Sequence, residues 1–106
     1  MSSNRIDILK SMLEQNPSDA FARYGLAMEH ARLGQTEAAL EQFSKLLELH
    51  PDYTNGYFMA AQTLERAGRT AEAKKMLADG IEAAKRAGNQ HALQEMSGML
   101  EELDLP

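Results

Sequence analysis

Non-polar side chains recur along this chain at helical spacing. Phe21, Tyr24, Leu26, Ala27, His30 and Leu33 mark one face of a first segment, and Ala39, Leu40, Phe43, Leu46 and Leu47 mark one face of the next. Neither segment alternates as a half-buried strand does. The pattern and its breaks predict helices over about 4–15, 19–33, 37–49, 53–67, 71–87 and 90–103. No linker and no low-complexity segment separates them.

The pattern repeats with a period of 34. Ala27, Gly34, Thr36 and Ala39 are followed 34 positions later by Ala61, Gly68, Thr70 and Ala73, and Phe43 is followed by Leu77. Pro17 and Pro51 stand at the same interval, each followed by a residue suited to cap a helix, Ser18 and Asp52. Gly34 and Gly68 suit the left-handed residue that ends a helix, and Thr36 and Thr70 are placed to cap the helix that follows. Each unit therefore reads as helix, tight turn, helix. Ala27, Ala39, Ala61 and Ala73 let two antiparallel helices approach closely, while Phe43 and Leu77 fill the space beside them.

With Leu26-Ala27 in the first helix, Gly34 at the turn, Ala39 and Phe43 in the second helix and Pro51 at the exit, the segment from Ala20 to Asp52 resembles a tetratricopeptide repeat. The segment from Thr54 to Ala87 resembles a second copy, through Tyr57, Ala61, Leu64, Gly68, Ala73, Leu77 and Gly80. Arg5 to Pro17 looks like the second helix of a truncated copy. The resemblance implies an all-α fold, a short right-handed α-solenoid of antiparallel helix pairs, forming one domain over 1–106. Its parts are a half-repeat at 4–17, repeats at 20–53 and 54–87, and a capping helix at 89–103. Three positions depart from the family pattern: Arg23 replaces an early aromatic, His30 an aromatic or aliphatic residue, and Lys85 the exit proline. Without that proline, the helix from Ala71 is expected to run an extra turn, to Gly88. Arg5, Asp7, Lys10 and Glu14 at one end, and Gln94, Glu95, Glu101 and Glu102 at the other, offer the polar outer sides that end helices of a stack need.

Composition agrees. Among 106 residues there are 16 Ala, 14 Leu and 7 Met, with 3 Ile and no Val or Trp, so helix formers outnumber strand formers. The absence of Cys excludes disulfides, thiolate metal sites and a cysteine nucleophile. A net charge of −5 argues against nucleic acid as a partner. No apolar run approaches a membrane span, and Met1-Ser2-Ser3-Asn4-Arg5 lacks the apolar stretch of a secretory signal, so a cytoplasmic protein is expected.

In the family that the chain resembles, the first helix of each pair lines an inner, concave face that holds peptides. Mapped here, the resemblance implies a face of Phe21, Tyr24, Gly25, Met28 and Arg32, then Asn55, Phe58, Met59, Gln62 and Arg66. Met beside aromatics suits a groove for an amphipathic helix or apolar peptide, with the arginines available to a carboxylate. Phe21, Met28 and Met59 fit burial under a neighbouring helix equally well. One subfamily grips acidic chaperone tails with Lys, Arg and Asn residues; the matching positions here hold Tyr24, Met28, Met59, Asn89 and Leu93, so that clamp is not expected.

Nothing in the sequence assembles a catalytic constellation or a cofactor site. His30, His50 and His91 are scattered, and His91 with Glu95, one helical turn apart, makes two ligands and no metal site. The stretch from Arg66 to Arg86 holds six basic and three acidic residues, while Ala87 to Pro106 holds no basic and four acidic residues. The basic stretch is expected to be a solvated helix face rather than a docking site. The sequence thus points away from an enzyme and toward a protein-interaction adaptor that binds a peptide or helix of a partner in the groove. The alternative is a homodimer that uses the same face as its interface.

Overall fold

The expected helices form over nearly the expected spans. The computed structural model describes residues 5–106, and these contain six α-helices and no strand. Asn4, the expected start of the first helix, and the leader reading of Met1 to Asn4 lie outside the described residues. The helices are α1 (Arg5–Gln15), α2 (Ala20–Arg32), α3 (Thr36–Leu49), α4 (Thr54–Arg66), α5 (Thr70–Ala87) and α6 (Gln90–Leu103). They group into two compact units that divide between His50 and Pro51.

In the first unit, α1 packs on α2, and α2 on α3, as neighbours joined by short turns. Leu9, Ala22 and Leu26 form the α1–α2 core, with Ile6 and Leu13 packed on it. Gly25 lets α1 approach: a Cβ there would lie 3.2 Å from a methyl of Leu9. Ala27 of α2 and Ala39, Phe43 and Leu46 of α3 have no or almost no exposed surface, as the small-residue pattern requires. Arg23, in place of the usual aromatic, bridges instead of filling: its guanidinium donates to Gln42 Oε1 at 2.9 Å and to the Pro17 carbonyl at 2.8 Å. His50 meets the Ser18 carbonyl through Nε2 at 2.8 Å, closing the α3 end onto the α1–α2 turn.

In the second unit, α5 lies against both α4 and α6, and α4 and α6 touch. Tyr57, Ala60, Ala61 and Leu64 of α4, Ala73, Leu77, Ala83 and Ala84 of α5 and Met96 of α6 are the buried apolar residues of this unit. Gly80 is where the three helices converge: a Cβ there would lie 2.5 Å from Met96 Sδ and 2.6 Å from Tyr57 Cβ. Lys85 in place of a proline has the expected effect, and α5 runs 18 residues to a stop at Gly88.

The helix stops follow the sequence, while four of the expected caps move by one residue. Gly34 and Gly68 take φ of 75° and 78°, where a side chain is strained. In each case the next N–H reaches back to the helix, from Gln35 to the His30 carbonyl and from Arg69 to the Leu64 carbonyl, both at 2.9 Å. Thr36 and Thr70, expected as caps, are instead the first helical residues; Gln35 and Arg69 hold the cap positions without a side-chain cap bond. Ser18 is displaced by Asp19, whose Oδ1 accepts from the Ala22 N–H at 3.0 Å. Asp52 is displaced by Tyr53 and pairs with Arg86 of α5 at 3.1 Å. Asn89 does cap α6, accepting from Ala92 N–H at 3.0 Å. The N-terminal helix is less polar outside than expected, since Ile8 and Met12 are exposed beside Arg5, Asp7, Lys10 and Glu14.

Candidate functional site

Helix α5 sets the geometry of a cleft in the second unit. Because α4 and α6 both run antiparallel to α5 and meet over Gly80, they run parallel to each other, and their outer flanks form the two walls of a cleft. From α4 come Phe58, Gln62, Glu65 and Arg66, spaced to share one stripe on the side away from Ala60, Ala61 and Leu64. From α6 come Gln94, Glu95, Gly98, Met99 and Glu102, which lie mostly on the side of the helix away from the buried Met96. The cleft has a volume of about 470 Å³. Phe58 and Met99 are half-buried and give it apolar walls, while Glu65, Arg66, Glu95 and Glu102 are exposed at its rim. Gly98 leaves room: no atom lies within 4 Å of where its Cβ would be.

Three of the residues expected on an inner face, Phe58, Gln62 and Arg66, thus meet in one cleft. Asn55 is exposed and Met59 half-buried on the same helix, and neither lines the cleft. In the first unit, Phe21 is 67% exposed and Arg32 is exposed, held by Glu29 at 3.0 Å, with Met28 half-buried between them. Tyr24 turns its ring edge-on to Phe43, with centroids 6.5 Å apart, which commits much of it to the α2–α3 packing. Gly25 is covered by Leu9 and Arg5 and presents no open surface.

The α6 wall was not foreseen. Gln94, Glu95 and Glu102 read from the sequence as the polar outside of a cap, and here they edge a concavity. By helical spacing 95 and 99 flank the buried Met96 while 98 and 102 turn away from it, so this wall is the side of α6 away from its buried residue.

Electrostatics elsewhere is mostly paired. Arg69 with Glu72, Lys75 with Asp79, Lys85 with Glu82, Arg86 with Asp52 and Lys74 with Asp104 pair five of the six basic residues between Arg66 and Arg86. Arg32 holds the Glu29 carboxyl below its ordinary value through a hydrogen bond and its charge, with Arg5 adding to the effect. Arg69 does the same to Glu72. His91 Nε2 lies 3.5 Å from Glu95 Oε2, and among the described residues no group of three or more His, Cys, Asp or Glu is arranged for a metal ion. Among the same residues no helix is long and apolar enough to cross a membrane.

Two family models described as tetratricopeptide repeat match this chain, over residues 30–96 and 1–58. A TPR repeat-containing protein of Pseudomonas aeruginosa is 29% identical over 99 residues, covering 93% of this chain and 94% of that protein. The solution structure of a tetratricopeptide repeat domain protein from Salinibacter ruber superposes with a TM-score of 0.78 at 36% identity, over 84% of this chain and 90% of that one. PcrH, solved in complex with the chaperone-binding region of PopD, shares the fold with a TM-score of 0.84 at 20% identity, over 92% of this chain and 74% of that one. With each family match spanning more than half its length, and the helix pairs folded as the 34-residue period requires, the chain belongs to the tetratricopeptide repeat family.

Proposed function

We propose that this chain is a protein-interaction module that holds a peptide or helix of a partner protein against the first helices of its repeats. Phe58, Gln62 and Arg66 in the α4–α6 cleft are the principal contacts, flanked on α4 by Asn55 and Met59. In the first unit Phe21, Met28, Arg32 and the outer edge of Tyr24 add a second patch. One observation carries the reading: the cleft is preformed, with aromatic and thioether walls, a polar rim and room for side chains, which is the character of a recognition site. The fold of PcrH, held in common, is one on which a segment of another protein is bound. A cytoplasmic setting fits a chain without cysteine.

Affinity capture from cell extract with the wild type and with Phe58→Ala/Met99→Ala tests the reading. The expected result is that proteins retained by the wild type are lost by the variant while its helix content is unchanged. An identical set of retained proteins would remove the cleft from the function.

A homodimer is the second reading, favoured by the exposure of Phe21 and of Ile8, which is 59% accessible. Sedimentation equilibrium decides it. A dimer that Phe21→Ser or Ile8→Ser dissociates supports self-association, and a monomer at micromolar concentration excludes it.

A further inference from the structure

The α4–α6 cleft carries a charge pattern that selects its occupant. Three carboxylates, Glu65, Glu95 and Glu102, and one guanidinium, Arg66, edge it, so the rim is negative by two charges at neutral pH. Glu65, Arg66 and Glu102 form no ion pair with any described residue. This sets them apart from the α5 cations and from Glu29 and Glu72, whose charges are already matched. The whole chain, at −5, adds to the attraction for a cation.

The cleft is also directional. With α4 and α6 parallel, both walls run the same way: Phe58 precedes Glu65 and Arg66 on α4 by about two turns, and Gln94 and Glu95 precede Glu102 on α6 by about two turns. The seven steps from Phe58 to Glu65 span about 10 Å of helix axis. The apolar wall and the Glu65–Glu102 end are therefore separated by about three residues of extended chain or two turns of helix. Gly98 sits between them, in the interior of α6, where glycine is a poor helix former and where nothing fills the space its missing side chain leaves.

Resting on the reading of this cleft as a binding site, we infer that its occupant is a cationic amphipathic segment of a partner protein. A large apolar side chain enters beside Phe58, Gly98 and Met99, and a Lys or Arg about 10 Å further along reaches Glu65 and Glu102. The acidic rim disfavours acidic tails by like-charge repulsion and desolvation.

Selection from a random phage-displayed peptide library, run in parallel on the wild type and on Gly98→Leu, tests this. The leucine fills the open space without meeting another atom at its Cβ, and circular dichroism verifies the fold. Peptides enriched on the wild type and lost on Gly98→Leu are expected to carry Lys or Arg beside an apolar residue. Their affinity should fall about five-fold in Glu65→Gln/Glu102→Gln and fall again as salt is raised. Cleft-dependent peptides that are acidic or uncharged overturn the charge assignment and leave the cleft as a binding site. Enrichment indifferent to Gly98→Leu, or no enrichment, overturns both.

Discussion

Met96 rests on Gly80: a single carbon added to the glycine would fall 2.5 Å from the methionine sulfur. The sulfur is near the end of a flexible side chain and can move, but Tyr57 Cβ, 2.6 Å away, is fixed to the α4 backbone. Gly80→Ala is therefore expected to destabilise the chain by about 1–3 kcal/mol through overpacking, even though alanine is the better helix former by about 1 kcal/mol. Urea unfolding measures it. An unchanged midpoint would show that α5 is not held this closely.

Gly98 and Gly34 should respond to the same substitution with opposite signs. Gly98→Ala meets no neighbour and gains helix propensity, so a stabilisation of roughly 0.5–1 kcal/mol is expected. Gly34→Ala also meets no neighbour, yet at φ 75° it forces a side chain into the left-handed region at a cost of about 1–2 kcal/mol. Thermal melts of the two variants, compared side by side, test whether conformation or space governs each site.

Tyr24 and Phe58 were equivalent candidates on sequence, and the structure separates them. Tyr24→Ala removes the edge-on ring from Phe43 and is expected to lower stability by about 2 kcal/mol. Phe58→Ala is expected to affect partner binding in larger proportion than stability. Chemical denaturation of both variants, beside their binding to one partner peptide, gives the comparison.

Acid should loosen the chain in a defined direction. Glu29 and Glu72 have folded-state values below the ordinary 4.5, so each binds its proton more weakly when folded than when unfolded. Their contribution is complete above the unfolded value and is lost as pH falls through the lower folded values. Stability measured from pH 7 downward should therefore decline below about 4.5, and less steeply in Glu29→Gln/Glu72→Gln. Equal slopes in wild type and variant would exclude these two groups.

The sequence made the helix spans and the buried small residues legible because both follow from local periodicity. Ala27, Ala39, Ala61 and Ala73 are all fully buried, as their spacing implies. The start of each helix was less legible. Ser18 or Asp19, and Asp52 or Tyr53, differ by one residue, and the choice depends on how the entering chain meets the neighbouring helix. Asp52 is the clear case: a good capping residue drawn away by Arg86, 34 positions distant in sequence. The cleft was half legible for a related reason. The stripe on α4 follows from the repeat, whereas the α6 wall depends on where Gly80 seats Met96, and that register is a matter of tertiary packing.

The Pro51 carbonyl accepts from the Tyr57 hydroxyl at 2.7 Å and from the Arg86 guanidinium at 3.3 Å, and the same guanidinium holds Asp52. The three residues before α4 are thus clasped by α4 and α5, and they belong physically to the second unit although they read as a connector. A protease that attacks loops should find this one resistant. Dissection of the chain should cut ahead of Pro51, since a fragment beginning at Thr54 would leave Tyr57 and Arg86 without the acceptors that close the helix pair.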